Sequence, residues 1–178
     1  YNGAAIKTEV VSHIHPATLE NGNAVHSLPM TLIKVSNGAK LTVEDVTIRN
    51  VTNNSSSFTI DVEAAGSLVL TGSTTLTGTR LADSATETTA LDVTHGTHVR
   101  VINGAFDMDS EWTGAIEKRT RGVQVSGSSA VVTMNSENGA IRNNGNTSYN
   151  VNSGAGIMLE SGAKFTMNAG KICGNTVY

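Results

Sequence analysis

Short stretches with apolar residues two apart recur along the chain, separated by turns that carry glycine. Five of them, Leu32–Val35, Thr59–Val62, Ala90–Val93, Gly122–Val125 and Gly156–Leu159, open a common phrase. A glycine follows each one (Gly38, Gly66, Gly96, Gly127, Gly162), and after it comes a second apolar pair: Leu41/Val43, Leu68/Leu70, Val99/Val101, Val132/Met134 and Phe165/Met167. A third segment then offers one apolar residue, Ile48, Leu76, Phe106, Ile141 or Ile172. Alternation at a period of two is the signature of a strand with one buried face. The second-strand residues Leu41, Leu68, Val99, Val132 and Phe165 advance by 27, 31, 33 and 33 residues, so three strands fill each repeat. Three strands that give one or two apolar residues each cannot bury a face alone. Stacked in register they form one continuous core. The phrase therefore predicts an all-β fold, a right-handed parallel β-helix of about five three-strand rungs over residues 31–178. Residues 1–30 lack the phrase and are expected to form an N-terminal cap or a first partial rung.

Composition supports this and narrows function. The chain has 178 residues, the scale of one domain, and only 15% of them are charged, against about 25% in ordinary globular chains. It is rich in threonine and glycine and poor in the residues that fill exposed helix faces, which argues against a helical fold. Twelve basic and 15 acidic residues give a net charge of -3, so there is no electrostatic case for nucleic acid or an anionic membrane surface. No apolar run is long enough for membrane insertion by a helix. The single cysteine, Cys173, excludes an internal disulfide framework and a cysteine-rich metal site. No cofactor is expected.

The last repeat, with Gly156-Ile157-Met158-Leu159, Phe165-Thr166-Met167 and Ile172-Cys173-Gly174-Asn175, resembles the rung of large bacterial surface proteins of the pectate-lyase-like β-helix superfamily. The likeness is close over residues 154–176, looser over 31–50 and only positional between. It implies an extracellular location, secreted or attached to the cell surface, and does not by itself imply catalysis. Related helices stack asparagines in the turn after the third strand, and Asn50, Asn143 and Asn175 fall there.

Function on such a fold must come from outward columns and loops. The outward residues of the first strands read Lys34, Asp61, Asp92, Gln124 and Met158. With rungs about 4.8 Å apart, Asp61 and Asp92 would be neighbours, and two carboxylates sharing a site can divide acid and base roles as in glycosidases. The competing reading is a solvated ladder in which Lys34 neutralises Asp61. The second column, Thr42, Val69, Arg100, Thr133 and Thr166, is interrupted as an ice-binding array. The third reads Arg49, Thr77, Asp107, Arg142 and Cys173, alternating charges that suit weak surface pairs.

The loop Asp107-Met108-Asp109-Ser110-Glu111-Trp112 holds the only tryptophan. An exposed Trp112 beside the first-strand face would stack on a sugar ring, whereas a Trp112 folded back would cover the coil's edge. Asp107, Asp109 and Glu111 alternate as calcium ligands do, without the glycine and later glutamate of a complete loop. Together these residues point to a non-catalytic surface module, an adhesin or stalk. Its partner would be a host or environmental glycan or a protein receptor, with Asp61, Asp92, Gln124 and Trp112 as binding residues. The enzyme alternative is a polysaccharide lyase or glycoside hydrolase using Asp61 and Asp92. The last repeat stops without a polar cap, so the expectation is either further rungs in a longer chain or end-to-end association of two copies.

Overall fold

The computed structural model describes residues 4–6, 10–12, 19–20, 23–24, 31–51, 54–79, 94–146 and 155–177. Every regular element among them is a strand. Most of the strands form three parallel sheets of five or six members, wound as a right-handed parallel β-helix, and Gly145–Asn146 pairs in parallel with Thr176–Val177 beside the last two rungs. Its first rung comprises Thr31–Val35, Lys40–Glu44 and Thr47–Asn50, and its second Phe58–Glu63, Ser67–Thr71 and Thr75–Thr77. The third comprises Thr94–Ile102, Ala105–Met108 and Ala115–Glu117. Arg119–Ser126, Val131–Met134 and Ala140–Arg142 make the fourth. Ile157–Glu160, Lys164–Met167 and Lys171–Cys173 make the fifth. Two short strands, Ala4–Ile6 and Val10–Ser12, extend the second and third sheets ahead of the first rung. Leu19–Glu20 and Asn23–Ala24 form a small antiparallel pair.

The core is built of columns. In the second sheet Leu41, Leu68, Phe106, Val132 and Phe165 stand in register, as do Val43, Leu70, Met108, Met134 and Met167 beside them. Ile48, Leu76, Ile116, Ile141 and Ile172 form the column of the third sheet. Val35, Val62, Val101, Val125 and Leu159 form one column of the first. All but the final members of these columns lie in one buried cluster. Parallel in-register stacking gives every strand of the middle rungs a hydrogen-bonded neighbour on each side, leaving strand edges only at the ends of the coil.

The third rung departs from the sequence expectation. Val99 and Val101 pair with Ile60 and Val62 and belong to the first sheet, not the second. Phe106 and Met108 take the second-sheet place, and Ile116 takes the third. Second-sheet spacing accordingly runs 38 and then 26 residues across this rung. The reason is physical: first and second strands carry the same alternating apolar pair, so alternation alone does not say which side of the triangle a strand occupies. The long connection between Thr77 and Thr94 shifted the phase by one strand. Ala90–Val93, expected as the opening strand of this rung, lies outside the described residues, as does Asp92.

Tight corners hold the triangle. Between the first and second strands of rung one, Asn37 and Gly38 both adopt positive φ, 55° and 73°. Asparagine and glycine tolerate that region best. A single residue, Lys118 at φ 64°, turns the third rung into the fourth. At the end of the connection after Met108 the backbone passes so close to the preceding rung that a Cβ on Gly114 would lie 1.7 Å from the Thr74 carbonyl oxygen.

Candidate functional site

The outward face of the first sheet gathers a dense set of charged partners among the described residues, and register explains why. Lys34, Asp61, Arg100, Gln124 and Met158 occupy one column, so the neighbour of Asp61 on the third rung is Arg100. Arg100 therefore fills the place expected for Asp92, which itself lies outside the described residues. Arg100 Nε donates to Asp61 Oδ1 at 2.8 Å and its terminal nitrogen donates to Oδ2 at 2.6 Å, a bidentate fork that matches guanidinium to carboxylate. The same nitrogen donates to Glu63 Oε1 at 2.8 Å. Lys34 Nζ donates to the other oxygen of Glu63, also at 2.8 Å. The guanidinium lies 4.1 Å from the centroid of the Phe58 ring, a cation–π contact.

Asp61 is only 2% exposed, and a carboxylate so far out of water is costly to leave unpaired. The hydrogen bond from Lys34, with help from the cations around it, holds the Glu63 carboxyl below its usual range, and Glu63 in turn raises the Lys34 amine. The same face continues into the later rungs. Gln124 Nε2 donates to Glu160 Oε2 at 3.0 Å and Gln124 Oε1 accepts from Arg121 at 3.3 Å. A general acid or base needs an oxygen free to exchange a proton with substrate. Both oxygens of Asp61 accept from Arg100, an arrangement that suits an electrostatic brace.

Trp112 is fully buried, which overturns its reading as an exposed sugar platform. It sits in the turn joining the second and third strands of rung three, not in a connection after the third strand. Its indole N–H donates to the Thr74 carbonyl at 2.7 Å and its own carbonyl accepts from the Ser136 hydroxyl. The ring fits under the next rung because that rung has no side chain there. A Cβ on Gly139 would come within 2.2 Å of the ring. Sequence reasoning placed Trp112 in the wrong connection because the phase of this rung was misread; the Trp-to-Gly139 spacing was the clue to stacking.

The acidic loop does not assemble as a metal site. Asp107 stands in the second-sheet column between Val69 and Thr133, the place expected for Arg100, and accepts from Asn135 Nδ2 at 3.0 Å. Partial burial, then the nearby Asp109 charge, raises its carboxyl. Asp109 accepts the backbone N–H of Glu111 at 2.9 Å in a local turn. Among the described residues no group of three or more histidine, cysteine, aspartate or glutamate side chains is placed to hold a metal ion. In the third-sheet column Glu117, not Asp107, faces Arg142 at 2.9 Å.

Two polar features escaped the sequence reading in whole or part. The asparagine ladder runs through Asn144, one residue past the expected Asn143, because Asn143 itself takes positive φ, 53°, to make the corner. Asn144 accepts the Arg119 N–H at 3.3 Å and donates to the Ile116 carbonyl at 2.9 Å. One rung on, Asn175 accepts the Asn144 N–H at 3.0 Å and donates to the Ile141 carbonyl at 2.9 Å. The second feature is a buried polar corner of Asn50, Ser57, Thr59, His98 and Arg119. Nothing in the local pattern marked these five as neighbours, since they come from four different rungs.

Comparison of the chain with known protein families, with curated proteins and with solved structures finds no match.

Proposed function

We propose that this chain is a non-catalytic β-helix module, a stalk or adhesin segment working outside the cell as part of a bacterial surface protein of the pectate-lyase-like type its last repeat resembles. The observation that carries this reading is the Asp61–Arg100 fork. Asp61, the described member of the Asp61 and Asp92 pair favoured for chemistry on the first-sheet face, is buried in an ion pair that braces adjacent rungs. Around it the outward side chains are tied rung to rung by Lys34–Glu63, Arg100–Glu63 and Gln124–Glu160. That pattern suits a rod that must resist bending and shear. If the module also holds a glycan, its half-exposed amide and charges at Gln124, Arg121 and Glu160 are the groups on this face that would meet sugar hydroxyls.

A glycan-array screen of the folded chain, run beside a reducing-end assay on the same polysaccharides, tests the proposal. Binding without product, weakened by Gln124→Ala, supports an adhesin, and silence in both supports a stalk. Product release abolished by Asp61→Asn would overturn the proposal in favour of a polysaccharide lyase or hydrolase.

A further inference from the structure

His98 lies wholly buried where third-sheet strands turn back into the first sheet, and its partners fix its proton. Its Nε2 is 2.7 Å from the Glu117 carbonyl oxygen, which can only accept, so Nε2 carries the hydrogen. Its Nδ1 is 3.0 Å from the Thr59 hydroxyl. That hydroxyl oxygen accepts from Asn50 Nδ2 at 3.2 Å and from Arg119 at 3.4 Å, which fills both of its lone pairs. Its single O–H is left to donate to Nδ1. The neutral imidazole is thus bonded at both nitrogens. A second proton, on Nδ1, would point at an oxygen with no lone pair to spare.

The charged surroundings oppose that proton as well. Arg119, from the fourth rung, reaches Thr59, Ser57 and the His95 carbonyl beside the ring. The Glu117 carboxylate turns away to Arg142 and Lys118. Arg121 reaches the Thr97 hydroxyl, and His95 lies three residues earlier on the same strand as His98. Burial first, then the Arg119 charge, pushes His98 well below the ordinary histidine range.

We propose that His98 is a proton-triggered latch: neutral, it ties the end of rung one and rungs two to four together at this corner, and protonation releases them. The latch holds through Asn50, Thr59, Glu117 and Arg119, one contact from each rung. The Glu117 carbonyl also accepts the Gly78 N–H at 3.1 Å, and the Thr97 N–H donates to Ser57 at 2.9 Å, so release would free backbone on both flanks of the longest connection. The sign follows from linkage. The unfolded chain binds a proton at His98 below its ordinary value of about 6.5, and the folded chain binds it only at lower pH. The stabilisation is complete above that pH and is lost as pH falls toward the depressed folded value.

Melting the full chain at about pH 6.5 and about pH 5, where most carboxylates remain charged, should lower Tm by roughly 3–6 °C. His98→Gln keeps a donor for Glu117 and an acceptor for Thr59 without a titrating ring, and should remove most of that drop. Equal drops in both proteins would overturn the latch. If the variant does not fold, the His98 ring proton followed by NMR in the native chain decides. A folded-state midpoint at or above the ordinary histidine value overturns the proposal, and absence of titration across the window supports it. Hydrogen exchange separates a local latch from general weakening. Protection at Gly78 and Thr97 should fall on acidification while that at Val132 holds, and a uniform fall along the coil would count against the proposal.

Discussion

The fourth and fifth rungs carry the same hydrophobic phrase in different surroundings. Val125, Met134 and Ile141 are fully buried, whereas their register partners one rung on, Leu159, Met167 and Ile172, are 47%, 43% and 40% exposed. The residue types are nearly the same, and the second and third strands of the two rungs match in length, four and three residues each. What differs among the described residues is the number of covered sides: the fourth rung has a described rung on each side, the fifth on one side. In a coil of stacked repeats, burial is therefore conferred by the adjacent rung and not by the repeat's own sequence, so stability is close to a sum of nearest-neighbour terms. Each variant below tests whether matched positions in the middle and at the end of the coil differ as that account requires.

The largest difference is expected where charge is buried. Arg100→Met removes the partner of a carboxylate that is almost out of water, and should cost about 3–5 kcal/mol in urea unfolding. Glu160→Gln, on the same face at the last rung, leaves the Gln124 amide an oxygen to donate to and should cost under about 0.5 kcal/mol. Similar costs at the two sites would mean that Asp61 is better solvated than its burial indicates.

Next in size is the apolar column of the third sheet. Ile141→Ala should cost about 2–5 kcal/mol, because it opens a cavity between Ile116 and Ile172 that the stacked strands are poorly placed to close. The same change at Ile172 removes a side chain already part in water and should cost about 1 kcal/mol. Equal costs would show that something covers the last rung in solution. A concentration-dependent Ile172→Ala effect would point to a second copy.

Residues that repeat a phrase were legible in the sequence, and residues that meet only through stacking were not. The alternating pairs at Leu41/Val43, Leu68/Leu70, Val132/Met134 and Phe165/Met167 gave the parallel coil, its three sides and most of its columns. The third rung failed because an apolar alternation identifies a strand without identifying its sheet, and only register with Ile60 or Leu68 separates Val99 from Phe106. The candidate site inherited that error: a phase slip of one strand put Asp92 where Arg100 stands and Trp112 in an exposed loop. The His98 corner was illegible for a different reason. Thr59 and His98 are 39 residues apart, and Arg119 is 60 from Thr59, so no local pattern joins them.

The asparagine ladder offers the finest comparison, since Asn144 and Asn175 make the same pair of backbone contacts one rung apart. Asn144→Ala leaves the Arg119 N–H and the Ile116 carbonyl without this partner in a corner closed on both sides, and Asn144 itself is fully buried. Buried groups deprived of a hydrogen bond cost about 1–3 kcal/mol. Asn175→Ala exposes an equivalent pair, but at the open end water can approach both groups, and the expected cost falls below about 1 kcal/mol. Measured by urea unfolding, the difference between the two variants reports what a covering rung contributes together with the one extra bond of Asn144, to the Arg142 carbonyl at 3.1 Å. Had the ladder's strength resided in its own geometry, the two substitutions would differ by that bond alone; in a coil stabilised by its neighbours the gap is wider.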